Sequence, residues 1–404
     1  MRILIVANKM PYPPKDGGAI ATLSLARSLR RCGCDVDLLA MNTPKHFCRV
    51  EDIPSEISSE INFYAVEVDT TIKATDALRN LLFSSKPYNA ERFVNEAFAE
   101  KLKVLLSENQ YDVVQLEGLY LCPYIETIRK HSQAKVALRA HNVEHEIWQR
   151  MVENEKSLPK RLYKGIIARR MRRFELSYIN AYDFLVPITD RDSAFFSQNG
   201  NEKPIFVAPT GIDSENPLLD IDNSKADFPG FSFIGALDWH PNCEGLTWLV
   251  KNVWNEYRSR HPEAKIRVAG RNADASFADF LKSNGVDYFG EVESAVDFYA
   301  SGSVFVVPLM SGSGMRIKNV EAMAAGKVVI TTSVGTEGIA TENGKNIFIA
   351  DSAADFLACM EKLASDKNLC YEISAKAREF VKQNYDNNLI ATRLLDFYKM
   401  VVGR

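Results

Sequence analysis

The sequence has no stretch near the ~18 consecutive apolar residues that a membrane-crossing helix requires, so no such helix is expected. Cysteine is sparse and scattered: there are seven in 404 residues, with only Cys32 and Cys34 close together. That pattern argues against a disulfide framework or a zinc site and fits reduced thiols in a cytoplasm. An excess of one charge is missing too, because 49 Lys and Arg meet 52 Asp and Glu for a net charge of −3. Nucleic acid is therefore not expected as a partner. The apolar run Ile3 to Ala7 soon meets Lys9 and three prolines, and is too short for a signal-peptide core.

What is present is ordinary for a folded chain, with 46% hydrophobic and 25% charged residues. Short β-branched runs alternate with amphipathic stretches, the pattern of βαβ units and parallel sheets flanked by helices. Strands are predicted at Arg2 to Ala7, Val36 to Met41, Tyr111 to Leu116, Lys135 to His141 and Phe184 to Thr189. The rhythm restarts at Phe231 to Leu237, Lys265 to Gly270, Asp287 to Phe289, Val304 to Pro308, Val328 to Thr332 and Asn346 to Ile349. The fold class is thus α/β, with two doubly wound, Rossmann-like domains at 1–208 and 231–385. A Pro-, Gly- and Asp-rich linker is expected at 209–230, and a last helix at 386–404 either caps the second domain or packs back on the first.

Ligands in open α/β sheets bind at the carboxyl ends of strands, so the loops there carry the chemistry. The first such loop, Asn8 to Gly18, is neither GxGxxG nor part of a P-loop. It delivers Gly17 and Gly18 to a helix expected to begin near Ala19, where backbone could approach an anion or simply turn. The stretch after Pro308 says more: Leu309-Met310-Ser311-Gly312-Ser313-Gly314-Met315-Arg316-Ile317-Lys318 leads into a short helix that Gly326 ends. Amides at a helix start, with Arg316 and Lys318 beside them, suit a diphosphate. Glu321 follows on that helix, where it could accept hydrogen bonds from ribose hydroxyls or be a solvated partner of the two cations.

The segment Pro308 to Gly335, with Glu321-Ala322-Met323-Ala324-Ala325-Gly326, resembles the donor-nucleotide motif of family 4 glycosyltransferases (glycosyl transferases group 1), retaining enzymes of GT-B architecture. Further similarities run along about three-quarters of the chain in the family's order: Gly17-Gly18, Arg139-Ala140-His141-Asn142, Ile234-Gly235 and Phe289-Gly290-Glu291-Val292. The resemblance implies a hexosyltransferase moving a sugar, with retention, from a nucleotide diphosphate to a glycan or lipid-linked acceptor, as in polysaccharide or lipopolysaccharide biosynthesis. It implies His141, Lys318 and Arg316 as catalytic groups. It implies Gly17, Gly18, Gly235, Arg271, Phe289, Glu291, Ser313, Gly314, Met315 and Glu321 as donor-binding positions in a cleft. No metal and no cofactor beyond the donor is implied, since fixed cations would receive the leaving diphosphate. The acceptor would attack from the face the diphosphate leaves.

Two positions depart from the family pattern. Ser313 stands where the family has Glu, and Gly235 to Asn242 lacks the usual Arg and Lys, so Arg271 with Arg316 and Lys318 is expected to supply the charge, unless Arg271 is an ordinary surface residue. A nucleotide-sugar epimerase of the same architecture, or a non-catalytic nucleotide-sugar-binding subunit, are the competing functions. His141-Asn142-Val143-Glu144-His145 spells HxxEH, but His141 is expected to end a strand, which spoils the helical spacing of a zinc site. Asp35-Val36-Asp37 is expected to be a solvated strand end. From Lys156 to Arg173 there are eight Lys or Arg and no acid, with Leu162, Ile166, Ile167, Met171 and Phe174 at helical spacing. This is either a core-packed helix with a solvated basic face or a peripheral contact with anionic lipid at the inner membrane face.

Overall fold

The computed structural model describes residues 1–311 and 314–403. The chain divides into two compact units, residues 1–210 with 387–404, and residues 211–386. The first holds six parallel strands: β1 (Arg2–Ala7), β2 (Asp35–Asn42), β3 (Asn62–Glu67), β4 (Val113–Glu117), β5 (Lys135–Ala140) and β6 (Phe184–Pro187). Their order across the sheet is β3-β2-β1-β4-β5-β6. The second unit holds β7 (Asp227–Ile234), β8 (Lys265–Ala269), β9 (Asp287–Gly290), β10 (Gly302–Val307), β11 (Val328–Thr331) and β12 (Phe348–Ile349), ordered β12-β11-β10-β7-β8-β9. Both orders are the same doubly wound pattern, which reverses direction between the first and fourth strands of each sheet.

The central strands are continuous apolar runs because helices cover both faces. Ile3 to Val6, Val304 to Val307 and Val328 to Ile330 are fully buried. The strand expected to run to Leu237 stops at Ile234, and it starts at Asp227, inside the stretch read as linker. β3 went unpredicted: it is a half-exposed edge strand whose polar flanks hide its pattern. The final helix, Asn387–Val402, is part of the first unit, where Ile390, Leu394 and Tyr398 join the core beneath β1 and β2.

One expectation is corrected. Asp37 is not a solvated strand end but a buried acceptor, taking hydrogen bonds from Arg2 at 2.9 Å, Asn62 at 2.7 Å and Tyr111 at 2.7 Å. Asp35, two residues earlier, is exposed as expected.

Candidate functional site

The reversal point of the second sheet lies between β7 and β10, and residues following both strands meet there. Gly235 directly follows β7, and Arg316 stands at the N-terminal boundary of the helix Ile317–Ala324 that follows β10. Lys318 Nζ donates to Asn242 Oδ1 at 2.7 Å and lies 4.5 Å from the Phe233 ring centre. A Cβ on Gly235 would come within 2.7 Å of that ammonium, so the absent side chain is what makes room for it. Trp239 faces both cations, with Arg316 and Lys318 each 6.0 Å from its ring.

Burial pushes the Lys318 ammonium down to about 7, helped by the neighbouring Arg316 charge and opposed by Glu321. Glu321, one turn along, accepts from the Tyr299 hydroxyl at 3.3 Å. Its carboxyl is raised by burial, against the pull of Tyr299 and Lys318. Gly314 has φ +76°, and its carbonyl accepts from Arg316 at 2.6 Å, which folds the loop back onto the guanidinium. Met315 packs against the apolar cluster below. Ser313 lies outside the described residues. Arg271 follows β8 and is partly buried, its carbonyl accepting from Leu237 N at 2.8 Å. Phe289, in β9, is 55% exposed and edge-packed on Phe298, and exposed Glu291 follows it. These three stand one and two strands away from the cluster around Lys318. Asn242 and Tyr299 were not singled out by the sequence; they contact Lys318 and Glu321 across 76 and 22 positions.

The first sheet reverses between β1 and β4, and a second constellation occupies the carboxyl ends there. His141 follows β5, and its Nε2 lies 2.7 Å from Glu117 Oε2 at the end of β4. Glu117 is buried and also accepts from Thr22 at 3.0 Å, from Arg139 at 3.3 Å and from Gln115. Burial alone would raise its carboxyl, but Arg139 and His141 hold it at about 2. Arg139 further donates to the Ala21 carbonyl at 3.1 Å, so this bond ties β5, and the Thr22 bond ties β4, to the helix that Gly17 and Gly18 open. Asp16 caps that helix by accepting from Ala19 N at 2.9 Å. Its carboxylate takes Lys9 Nζ at 2.6 Å and faces His46 Nε2 at 3.0 Å, and is held well below the usual range despite its burial. Lys9 and His46 were missed, because nothing in their spacing announces the contact.

The HxxEH pattern forms no zinc site. His141 precedes the helix Glu144–Glu153, while His145 faces Glu175 at 2.5 Å. Among the described residues no group of three or more His, Cys, Asp or Glu is placed to hold a metal ion. No described helix is long and apolar enough to cross a membrane.

Two family models match the chain: "Glycosyltransferase Family 4" over residues 15–216, half of its length, and "Glycosyl transferases group 1" over residues 229–366. The chain belongs to the family 4 glycosyltransferases. A Klebsiella pneumoniae relative, an uncharacterised 44.6 kDa protein in the cps region, is 23% identical over 401 residues, covering 96% of this chain and 97% of that protein. Sucrose-phosphate synthase from Thermosynechococcus elongatus superposes with TM-score 0.69 at 15% identity, over 100% of both chains. Anabaena HepE in complex with UDP gives 0.67 at 13%, over 99% of this chain and 100% of that one. These likenesses show a GT-B fold for this glycosyltransferase.

Proposed function

We propose that this glycosyltransferase moves a hexose-type sugar from a nucleotide diphosphate to a glycan or lipid-linked acceptor, with retention of configuration and without a metal ion. The observation that carries the reading is the Arg316 and Lys318 pair at a helix start, set against Gly235 and followed by Glu321. When the bond from the anomeric carbon to the diphosphate breaks, negative charge grows on the leaving oxygens. Two fixed cations and the first amides of the Ile317–Ala324 helix are prepaid stabilisation for it. Lys318 has to be protonated for this work, and an arriving diphosphate would favour that form. Glu321 offers a carboxylate to the ribose hydroxyls. The acceptor oxygen bonds to the anomeric carbon on the face the diphosphate leaves, and its proton passes to a leaving-group phosphate oxygen.

In the first unit, Glu117 fixes the ring of His141 for contact with the sugar, and Gly17 and Gly18 admit the sugar phosphate to the helix start. The UDP bound by HepE makes uracil the first base to try. The cps-region relative supports a place in polysaccharide biosynthesis, and seven free thiols fit a reducing cytoplasm. A thermal-shift screen across sugar nucleotides tests the donor, because a ligand bound by the folded form raises its melting temperature. A hit followed by NMR of the product anomer tests retention, and turnover that survives chelator tests metal independence. If no nucleotide diphosphate shifts the melting temperature, the donor reading fails; if chelator abolishes turnover, the metal-free reading fails.

A further inference from the structure

The helix Leu158–Ser177 carries two apolar stripes rather than one. Ile167, Met171 and Phe174 are buried, as a core-packed helix requires. Leu158, Leu162 and Ile166 are spaced four apart on the opposite side, and Leu162 is 71% exposed. The core-packed expectation holds for Ile167, Met171 and Phe174, while Leu162 and Ile166 are exposed. The outward stripe continues at helical spacing into Arg169 and Arg173, both exposed.

A second helix, Ala74–Phe83, is fastened alongside. Arg170 donates to the carbonyls of Asn80 at 3.2 Å and Leu81 at 2.8 Å, holding the carboxyl end of that helix. It too shows apolar side chains to solvent: Leu78, Leu82 and Phe83 are 57%, 65% and 83% exposed. Within the helix its one acid, Asp76, is matched by Arg79. Among the described residues, eight of the fifteen large hydrophobics with the greatest exposure fall in residues 72–83 and 158–166. Such a concentration is an interaction surface rather than scattered exposure.

We propose that these two helices form a docking surface for an anionic lipid bilayer. Charge complementarity selects that occupant. The apolar stripe is short, suited to the headgroup boundary rather than to spanning, and it is continued by cations with no acid from residue 156 to 173. Leucine and phenylalanine would enter the acyl boundary while Arg169, Arg172 and Arg173 face lipid phosphates. The inference is independent of the transfer reaction and of any donor.

Flotation of the full chain with phosphatidylcholine vesicles, with and without phosphatidylglycerol, tests it without nucleotide. Binding is expected only where phosphatidylglycerol is present, and high salt should release it. Arg169→Gln with Arg173→Gln should each weaken partition about fivefold, and Leu162→Ser with Phe83→Ser should weaken it at constant charge. The circular dichroism spectrum and nucleotide binding should be unchanged in these surface variants. No flotation, equal flotation on uncharged vesicles, or flotation indifferent to all four substitutions would overturn the proposal. Self-association lost in Leu162→Ser, with no vesicle binding, would overturn it in favour of a second copy of the chain.

Discussion

His141 and Glu117 are joined by a 2.7 Å contact between Nε2 and Oε2, and the acid that makes it is buried. The other carboxylate oxygen takes the Gln115 amide, whose own oxygen accepts from the Tyr398 hydroxyl on the last helix. A polar chain thus runs from the end of the sequence to the imidazole.

Glu117→Gln puts an amide N–H where Arg139 or His141 now finds an acceptor. Turnover should fall roughly tenfold to hundredfold, the cost of misplacing a group that positions the reacting sugar, with the donor KM little changed. Steady-state kinetics separate the two parameters. A change in KM alone would make His141 a binding group instead.

The same acid predicts a pH dependence. Its folded value of about 2 lies below the ordinary 4.5, so its contribution to stability is complete above the ordinary value and disappears as pH falls through the folded one. The contribution is roughly 3 kcal/mol. Urea unfolding across that window should show a shallower loss for Glu117→Gln than for the parent chain.

Lys318, whose charge burial opposes, also makes stability rise with pH, but in a higher window. Between about 7 and the ordinary 10.5 the unfolded chain binds the proton that the folded chain does not, so stability of the nucleotide-free enzyme rises with pH over that window. Lys318→Met should flatten the rise while costing nucleoside diphosphate about tenfold to hundredfold in affinity, the loss of a charged hydrogen bond. Calorimetry in buffers of differing ionisation heat should detect proton uptake on binding above pH 7 in the parent and none in the variant.

Glu321→Gln should weaken donor binding by about 1–3 kcal/mol if the carboxylate holds ribose. Tyr299→Phe, which removes a 3.3 Å bond to that carboxylate, should have a smaller effect in the same titration. Unchanged affinity in both would remove Glu321 from the donor site.

Two glycine substitutions should separate function from fold. An added Cβ at Gly235 meets the movable end of Lys318, so Gly235→Ala should lower donor affinity several-fold with little change in melting temperature. At Gly245 the Cβ would lie 2.1 Å from the Pro308 carbonyl oxygen, which is backbone and cannot swing away. Gly245→Ala should cost about 1–3 kcal/mol of stability, visible as a lower melting temperature.

Much of this architecture is legible in the sequence because central parallel strands must be apolar on both faces, which writes β1, β10 and β11 as unbroken runs. An edge strand escapes that constraint, and Asn62–Glu67 was invisible for that reason. Arg316, Lys318 and Glu321 were legible because they sit within six residues on one helix start. The partners that give them their environment were not: Asn242 reaches Lys318 across 76 positions, and His46 reaches Asp16 across 30. Nor does helical periodicity say which of two apolar stripes faces inward, as Leu162 and Ile167 demonstrate.

The return of the last helix to the first unit sets an order of events during synthesis. Leu394 and Tyr398 fill the space under β1 and β2, yet they leave the ribosome after the whole second unit has been made. The first unit must wait, with an uncovered hollow, for residues made after the second unit. A chain cut after residue 386 would lose stability in the half farthest away in sequence from the cut.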